Sequence, residues 1–319
     1  MAKKVLIIGG QGFIGFHIVG ELQTHNYQVT IGSRSKTKND SSAPIIQIDL
    51  HEMSENDIRT IISDFDVIIF AGGADDRNFP NKPAETYFYN ENVIPCTRLA
   101  TICKDLGVQK LIILGSYFTY FHRLRPEWQL TEKHPYIKSR VLQHAETVVA
   151  AKEKTTIITL EIPYVFGATP NKIPLWKPLI NYINNWPIVF YTKGGTNIMS
   201  VAQVAKATIG VIKQVNTNQQ IVLGNENVTW KQLIGMIAKS LGKKRVIISI
   251  PTFIVKFFAY LTKIYFRIRK KQSGLDVYHF VKIQASKTYL ETDNSMKVLN
   301  YQKVDMQKTI DETVEACKF

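Results

Sequence analysis

The sequence predicts an α/β protein built on a doubly wound parallel sheet, with a smaller lobe formed mainly by its C-terminal half. Two observations carry this prediction. Apolar runs typical of strands alternate with helical stretches through the first half of the 319 residues, and the alternation loosens after Gly167. Parallel strands require crossover connections, and the crossover helices of such folds cover both faces of the sheet.

Six apolar runs in the first half have the length and composition of buried strands. They span Val5–Ile8, Gln28–Ile31, Ile45–Ile48, Val67–Phe70, Lys110–Leu114 and Thr156–Leu160. Helical patterns lie between them, notably over Phe13–Leu22 and Asn92–Leu106. After Gly167, prolines separate short elements from one another. We therefore expect residues 1–166 to form the first domain and residues 167–319 mainly the smaller lobe, with some segments returning to the first domain.

The first strand runs directly into the motif GGQGFIG, which starts at Gly9. Between a strand and a helix, glycines spaced like Gly9, Gly12 and Gly15 provide the tight turn, the close approach to a pyrophosphate and the packing of helix on sheet. The helix begins near Phe13 and Ile14, where unpaired N–H groups and the helix dipole favour phosphate. The motif predicts a dinucleotide-binding Rossmann domain, so the smaller lobe would bind the substrate. A glycine turn that serves packing alone is the alternative.

The end of the second strand bears on which nicotinamide cofactor fits. An NAD site usually places an acidic side chain there to hold the ribose hydroxyls, whereas a nearby arginine accommodates the 2′-phosphate of NADP. Here Gly32 stands in the place of the carboxylate, and Arg34, Lys36 and Lys38 follow. The pattern favours NADP over NAD. An ordinary solvated basic loop is the alternative interpretation.

Two further segments at strand ends are predicted to line the cofactor site. Asp49 and Leu50 follow the third strand and would reach the adenine edge, although an aspartate after a strand is also a common cap. Ala71, Gly72 and Gly73 follow the fourth strand, where small residues let the backbone pass close under the cofactor.

The composition limits which partners and which cellular compartment can be expected for the protein. The formal net charge of +14 calls for an anionic cofactor, nucleic acid or an anionic membrane surface. The sequence carries no nucleic-acid-binding motif, so we expect no nucleic-acid partner. Cys96, Cys103 and Cys317 are too few and too scattered for a disulfide framework, which predicts reduced core thiols and a cytoplasmic protein. The histidines lack metal-ligand spacing, so no metal is expected.

Ser116 follows the fifth strand, and Tyr136 lies downstream of it, four residues before Arg140. On a helix this spacing places a phenol beside a positive charge, which favours the ionised phenol. Tyr136 is therefore a candidate proton donor or acceptor, and the Ser116 hydroxyl would orient the same substrate oxygen. A packed aromatic residue and a turn serine are the structural alternatives.

Over nearly its whole length the sequence resembles the extended short-chain dehydrogenase/reductase family, also called the NAD-dependent epimerase/dehydratase family. The resemblance rests on the glycine motif, the strand ending in serine and the helix with a tyrosine four residues before a cation. Further matching segments are residues 92–93, 107–111, 165–167, 201–205 and 298–301. The apolar region over residues 250–266 is similar to the branch that contains dihydroflavonol reductases and 3-beta-hydroxysteroid dehydrogenases.

The resemblance implies roles for individual residues. Ser116 would bind the substrate carbonyl or alcohol, and Tyr136 would be the general acid/base. Arg140 falls on the family lysine that lowers the tyrosine pKa and holds the nicotinamide ribose. Arginine keeps the charge but has a different reach and cannot lose a proton, and Lys138 points to another face of the helix. The same resemblance implies cofactor contacts from Asn92, Pro163 and Val165.

The sequence is compatible with three functions. The favoured one is an NADP-dependent oxidoreductase that moves hydride between nicotinamide and a carbonyl or secondary alcohol of a small apolar molecule. The second is a sugar-nucleotide epimerase or dehydratase, against which Gly32 and Arg34 argue. The third is a catalytically impaired NADP-binding regulatory protein, which Arg140 suggests. The resemblance also suggests a homodimer.

Apolar residues repeat at helical spacing from Phe253 to Tyr265, with Lys256 and Lys263 off that face. Charges interrupt the run of about 20 apolar residues that a bilayer span needs, so we expect no span. One interpretation of residues 252–271 is an amphipathic helix that lies on anionic lipid, peripheral to a membrane, or closes over a lipophilic substrate. The other is a helix whose aromatic stripe packs against the protein.

Overall fold

The structure is a computed structural model that describes residues 2–35 and 43–318, so Lys36 and Lys38 lie outside the described residues. The strands within them are β1 (Lys4–Ile8), β2 (Gln28–Ser33), β3 (Ile45–Gln47), β4 (Val67–Phe70), β5 (Lys110–Ser116), β6 (Thr156–Ile162), β7 (Tyr164–Phe166), β8 (Ile188–Thr192), β9 (Gly195–Ser200), β10 (Gln219–Val222), β11 (Glu226–Thr229), β12 (Val246–Ile250) and β13 (Lys287–Thr288).

The helices are α1 (Phe13–Thr24), α2 (Glu55–Ile62), α3 (Ala84–Phe88), α4 (Ile94–Leu106), α5 (Phe118–Leu124), α6 (Leu130–Lys133), α7 (Pro135–Ala151), α8 (Lys177–Asn185), α9 (Val201–Gln214), α10 (Trp230–Ser240), α11 (Thr252–Ile268), α12 (Val277–Gln284), α13 (Asp293–Leu299) and α14 (Met306–Glu315). A π-helical turn, Tyr89–Val93, joins α3 to α4, and a 3₁₀ turn, Pro126–Trp128, follows α5.

The centre of the fold is a seven-stranded parallel sheet in the order β10-β6-β5-β4-β1-β2-β3. This order reverses direction on the two sides of β1, which is the hallmark of a doubly wound sheet, and the predicted fold class is confirmed. In such sheets ligands bind outside the carboxyl ends of the strands, where the order reverses. That edge here carries the residues that follow β1, β2, β4 and β5.

Helices cover both faces of this sheet because its strands are apolar on both faces. In β1, Val5 and Ile7 point to a core formed with α1, α9 and α13. Leu6 and Ile8 alternate with them and point to a second core formed with α2, α4 and α7. The continuous apolar run of β1 in the sequence therefore reflects two cores that share one strand.

The smaller lobe is built from two minor sheets. Strands β7, β11 and β13 all pair with β9, and β8 pairs in parallel with β12. Helices α8, α10 and α14 pack with them around a core that includes Phe166 and Trp230. Not all of the C-terminal half belongs there, because β10 pairs with β6 and α9 packs in the core that contains α1.

The structure differs from the sequence prediction mainly at element ends. Strands β2 and β5 extend to Ser33 and Ser116, beyond their apolar runs. The helix predicted from Asn92 starts instead as the π-helical turn, since Pro95 has no N–H group to continue a regular helical ladder. The three cysteines are buried and unpaired, which confirms reduced core thiols.

Candidate active site

The glycine motif forms a tight turn between β1 and α1. Gly9 has a φ of +86°, and a Cβ there would lie 2.8 Å from the carbonyl oxygen of Ala71. A Cβ on Gly15 would lie 2.7 Å from Cα of Gly10 and would overlap the Gly9 carbonyl. Both positions therefore require glycine. The turn is closed by the Gly12 N–H group, which donates to the Gly9 carbonyl at 2.8 Å.

The N-terminus of α1 is free of side-chain capping. Gly12 is its N-cap residue, and it offers no side chain to the first N–H groups of the helix, which begins with Phe13, Ile14 and Gly15. Uncapped N–H groups at the positive end of a helix dipole commonly bind phosphate by donating hydrogen bonds to its oxygens. The residues present therefore fit the diphosphate of a dinucleotide.

Beside this turn lies a cleft of about 340 Å³. It brings together residues from the ends of four parallel strands, as the sheet order requires. The predicted site residues on its wall are Gly9, Arg34, Asp49, Leu50, Gly72 and Gly73. Ala71 does not line the cleft. Its carbonyl approaches Gly9 closely and so contacts the glycine turn.

The wall formed by the end of β2 carries no carboxylate. Gly32 lines the cleft, and a Cβ there would lie 2.8 Å from Cγ2 of Ile48, so an acidic side chain cannot replace it without moving Ile48. Ser33, the last residue of β2, donates its hydroxyl to Oε1 of Gln11 in the glycine turn at 3.3 Å. Arg34 follows as an exposed side chain.

Two carboxylates on the cleft wall have local partners. Asp49 accepts the backbone N–H of His51 on Oδ1 at 2.9 Å, so it caps the turn after β3 as well as lining the cleft. Glu91 lies 3.7 Å from Nε2 of His51. The wall is therefore mixed in charge, with Arg34 as its cation.

Ser116 and Tyr136 are both buried, at the carboxyl end of β5 and in the first turn of α7. The hydroxyl oxygen of Ser116 accepts a hydrogen bond from the backbone N–H of Phe118 at 3.4 Å. The Tyr136 ring packs edge-on against Phe88, with ring centroids 5.7 Å apart, and Cζ of Arg140 lies 5.3 Å from its centroid. The predicted phenol–cation pair is thus formed, and the positive charge lies over the ring.

Arg140 is buried and points toward the carboxyl ends of β4 and β5. Nη1 donates to Oε1 of Gln143 at 2.9 Å and to the carbonyl of Leu114 at 3.5 Å, and Nη2 donates to the carbonyl of Ala74 at 3.4 Å. Its Nε is buried and has no hydrogen-bond partner within the described residues. An unpaired buried donor of this kind fits an oxygen of a bound ligand. Lys138, as predicted, lies elsewhere and pairs with Glu85.

The side chain of Asn92 connects the loop after β4 to α7. Its Oδ1 accepts the N–H of Ala74 at 2.9 Å, and its Nδ2 donates to Oγ of Ser139 at 3.0 Å. Gly73 has a φ of +96°, and a Cβ there would overlap Oδ1 of Asn92. Both polar atoms of the Asn92 side chain are thus used to fix the loop after β4 against α7.

The two remaining predicted cofactor residues lie between β6 and the smaller lobe. Pro163 is buried in the single-residue link between β6 and β7. Val165 is partly buried in β7, and its carbonyl accepts Nε1–H of Trp176 at 2.8 Å. They stand at the junction of the two lobes.

Segment 273–275 crosses over the candidate catalytic residues. The carbonyl of Gly274 accepts the N–H of Tyr136 at 3.0 Å. His134, the residue before α7, accepts the N–H of Asp276 on Nδ1 at 3.0 Å, and its burial lowers the pKa of the imidazole to about 4. A neutral His134 therefore ties the start of α12 to the start of α7.

Sequence reasoning missed Asp76 and the tyrosines around it. Asp76 lies in the loop after β4, and desolvation together with the neighbouring Asp75 carboxylate raises its pKa. Its charge acts on the phenols of Tyr117 and Tyr164, whose pKa values are raised mainly by their own burial. Tyr117 shares a hydrogen bond of 3.1 Å with Thr196 of β9. An acidic pair in the loop that follows β4 was the signal available in the sequence.

A buried carboxylate of the central sheet has a cationic partner. Glu161 of β6 is fully buried. It accepts a hydrogen bond from Nη2 of Arg123 on α5 at 2.7 Å and another from the hydroxyl of Thr119. The buried carboxylate of Glu161 is thus paired with a cation on a different element.

Comparison with known proteins places the chain in a family. The profile of the NAD dependent epimerase/dehydratase family matches residues 5–224. The chain belongs to this family. Human sterol-4-alpha-carboxylate 3-dehydrogenase, decarboxylating, is 25% identical over 222 residues, which cover 66% of this chain and 57% of the human protein. The chain therefore matches less than two thirds of that relative's length.

Solved structures share the fold across the whole chain. The UDP-N-acetylglucosamine 4-epimerase of Bacillus cereus has a TM-score of 0.71 at 14% identity and full coverage of both chains. The UDP-glucose 4-epimerase of Thermus thermophilus, solved in complex with NAD, has a TM-score of 0.68 at 16% identity over 99% of both chains. At these identities the likeness concerns the fold, and it agrees with a Rossmann-type sheet.

Residues 2–35 and 43–318 contain no helix that is both long and apolar enough to cross a membrane. The same ranges contain no group of three or more histidine, cysteine, aspartate or glutamate side chains that could hold a metal ion.

Proposed function

We propose that this member of the family is an NADP-dependent oxidoreductase that acts on a carbonyl or secondary alcohol of a small apolar molecule. The observation that carries the proposal is the convergence of two features on one sheet edge. An uncapped helix N-terminus opens beside a cleft that contains Arg34. Ser116 ends β5 at the same sheet edge, and α7 carries Tyr136 and Arg140, whose guanidinium bonds the carbonyls of Leu114 and Ala74 at the ends of β5 and β4.

The roles follow from the chemistry of these side chains. Bound nicotinamide would supply or accept the hydride. The Tyr136 phenol would give a proton to the substrate oxygen, or take one from it, and Ser116 would hold that oxygen. Arg140, whose guanidinium lies over the Tyr136 ring, would offer its unpaired Nε to an oxygen of the cofactor ribose.

The preference for NADP rests on the end of β2. An acidic side chain at position 32 would collide with Ile48, and the exposed guanidinium of Arg34 is free to meet a 2′-phosphate. An apolar substrate is supported by the aromatic residues near Tyr136 and by the sterol dehydrogenases among the relatives.

Fluorescence titrations with NADPH and NADH test the cofactor. We expect tighter binding of NADPH. Arg34→Ala should weaken NADPH about tenfold, which corresponds to about 1.4 kcal/mol, and should leave NADH unchanged. Arg125→Ala, an exposed arginine that does not line the cleft, is the matched control. Equal weakening of both cofactors by Arg34→Ala would contradict the 2′-phosphate role, and the absence of any nicotinamide binding would remove the proposal.

A carbonyl substrate screen with the preferred cofactor tests the chemistry. Tyr136→Phe should abolish turnover and leave NADPH affinity nearly intact, because the ring and its packing remain. Retained turnover would remove Tyr136 from the proton-transfer role.

A second candidate function is NADP binding without turnover. Arg140 in place of the family lysine favours it, since an arginine cannot pass a proton along a relay. NADPH binding by the wild-type chain with no turnover across the screen would support this function over the first.

A further inference from the structure

Helix α11 carries its apolar side outward. Its seventeen residues, Thr252–Ile268, include no buried side chain. A stripe at helical spacing runs along the solvent side, and its members are between 38% and 76% exposed: Phe253, Phe257, Leu261, Ile264 and Ile268. Phe258, Tyr260 and Tyr265 beside it are at least half exposed. Contiguous exposed apolar surface of this kind marks an interaction site.

The helix cannot turn this stripe inward, because its other side is anchored. Phe266 stacks on Phe79 with ring centroids 4.8 Å apart. Nζ of Lys263 lies 2.7 Å from a carboxylate oxygen of Asp276, the N-cap of α12. Past the helix end, the carbonyl of Lys270 accepts the N–H of Lys82 at 3.1 Å. These contacts hold α11 with the aromatic stripe facing solvent.

Positive charge borders the stripe. Residues 252–271 contain six lysines and arginines and no acidic residue. At 100° per residue, Lys256, Lys263 and Arg267 fall on one flank of the helix, between the anchored side and the stripe. The other three cations follow the helix end: Arg269, Lys270 and Lys271. An apolar face flanked by cations is the pattern of a helix that lies in the interface of an anionic bilayer.

From this arrangement we propose that α11 docks the protein on the surface of a membrane that contains anionic lipid. A second copy of the chain fits the stripe less well. It would place a second cationic border, and a second chain with a net charge of +14, against the first, and the two would repel each other. The helix would lie in the plane of the interface, with its aromatic side chains among the acyl chains and its cations at the headgroups.

Docking would place the candidate active site near the lipid. The segment that leaves α11 continues within a few residues to Gly274, whose carbonyl bonds the N–H of Tyr136. Leu275 packs in the cluster that contains Tyr136 and Phe88. If the proposed function holds, an apolar substrate dissolved in the membrane would have a short route to the catalytic residues. Docking itself does not depend on that function.

Vesicle flotation with the full chain tests the proposal. The probes are phosphatidylcholine vesicles with and without phosphatidylserine, and we expect binding to the phosphatidylserine vesicles. Phe253→Ser/Phe257→Ser should lower the partition coefficient by at least roughly a hundredfold, since the lower value of about 1.5 kcal/mol for each buried phenylalanine gives about 3 kcal/mol for the two. The matched control is Val149→Ser/Val298→Ser, two exposed apolar residues on α7 and α13.

The charge contribution has its own pair of variants. Arg267→Gln/Lys270→Gln should weaken binding to phosphatidylserine vesicles by roughly thirtyfold, from about 1 kcal/mol for each cation. Lys213→Gln/Lys231→Gln removes the same charge from exposed positions on α9 and α10 and should have little effect. Equal losses in the two pairs would mean that only net charge matters and would overturn the role of α11.

Three other outcomes would also overturn the proposal. They are absence of binding to either vesicle, equal binding to both, and binding unchanged by Phe253→Ser/Phe257→Ser. Lipid-free dimerisation, measured by sedimentation and abolished by the same phenylalanine variant, would assign the stripe to a second copy. NADPH titration of each variant reports separately on the fold and on the proposed function, so failure of one proposal is distinguishable from failure of the other.

Discussion

Arg140 offers a direct test of the candidate site, because the family resemblance places a lysine at this position. Its guanidinium reaches three acceptors, namely Oε1 of Gln143 and the carbonyls of Leu114 and Ala74. We expect Arg140→Lys to weaken both folding and NADPH binding. One ammonium group cannot replace nitrogens that are spread over a planar fork.

The magnitude follows from the shortest contact. The bonds to the two carbonyls are 3.5 and 3.4 Å long and contribute little, whereas the bond to Gln143 is 2.9 Å. Gln143 is fully buried, and its Nε2 is already committed to the carbonyl of Asn92 at 2.8 Å. A hydrogen bond to a charged group contributes about 1.5–3 kcal/mol. The free energy of unfolding should therefore fall by about 2 kcal/mol, and Tm should fall by about 4 °C.

The effect on the cofactor is set by the unpaired Nε. If Nε bonds an oxygen of bound NADPH, its loss removes about 1.4 kcal/mol and raises the Kd about tenfold. Circular dichroism melting gives the Tm, and NADPH fluorescence gives the Kd. Arg125→Lys, at an exposed position, should change neither quantity. An Arg140→Lys variant with unchanged Tm and Kd, or with faster turnover than the wild type, would refute the reasoning.

Three further predictions concern the turn, a buried histidine and the acidic loop. Gly15→Ala should abolish NADPH binding in a fluorescence titration, because its Cβ overlaps the Gly9 carbonyl, whereas Gly20→Ala, with open space around it, should bind normally. His134 has a folded pKa of about 4 against an ordinary 6.5, so the unfolded chain binds more protons between these values. Stability in urea should then fall as the pH drops from 6.5 toward 4, by on the order of 3 kcal/mol at most, and His134→Asn should flatten this slope; an unchanged slope would contradict the assignment. Asp76→Asn removes a desolvated charge beside another carboxylate, so it should raise Tm at neutral pH; an unchanged or lower Tm would contradict this account of the acidic loop.

Local patterns were sufficient for the glycine turn and for six of the seven strands of the central sheet, all except β10. Each of the six predicted strands is present, because a strand buried on both faces must be apolar at successive positions. The need for glycine at positions 9 and 15 could be predicted for a similar reason, since the close approaches that Gly9 and Gly15 permit involve residues near the same strand–turn–helix unit. The pairing of Tyr136 with Arg140 is also local, one turn apart on α7.

The side chains that surround Asp76 could not be predicted from local sequence patterns. Tyr117, Tyr164 and Thr196 come from three different parts of the chain and meet only where β5, β7 and β9 converge. The ion pair of Glu161 with Arg123 is equally non-local. Sequence spacing carries no information about side chains that tertiary packing brings together.

The amino-acid sequence by itself determined the alternating architecture, the turn for a dinucleotide and the amphipathic character of residues 252–271. It did not determine the direction in which the aromatic stripe of α11 faces, and packing of that stripe against the protein was the favoured expectation. The tertiary structure decided that point by anchoring Phe266 and Lys263 and leaving the stripe in solvent. The physical reason is that helical periodicity sets which side chains share a face, whereas what that face meets depends on every other element of the fold.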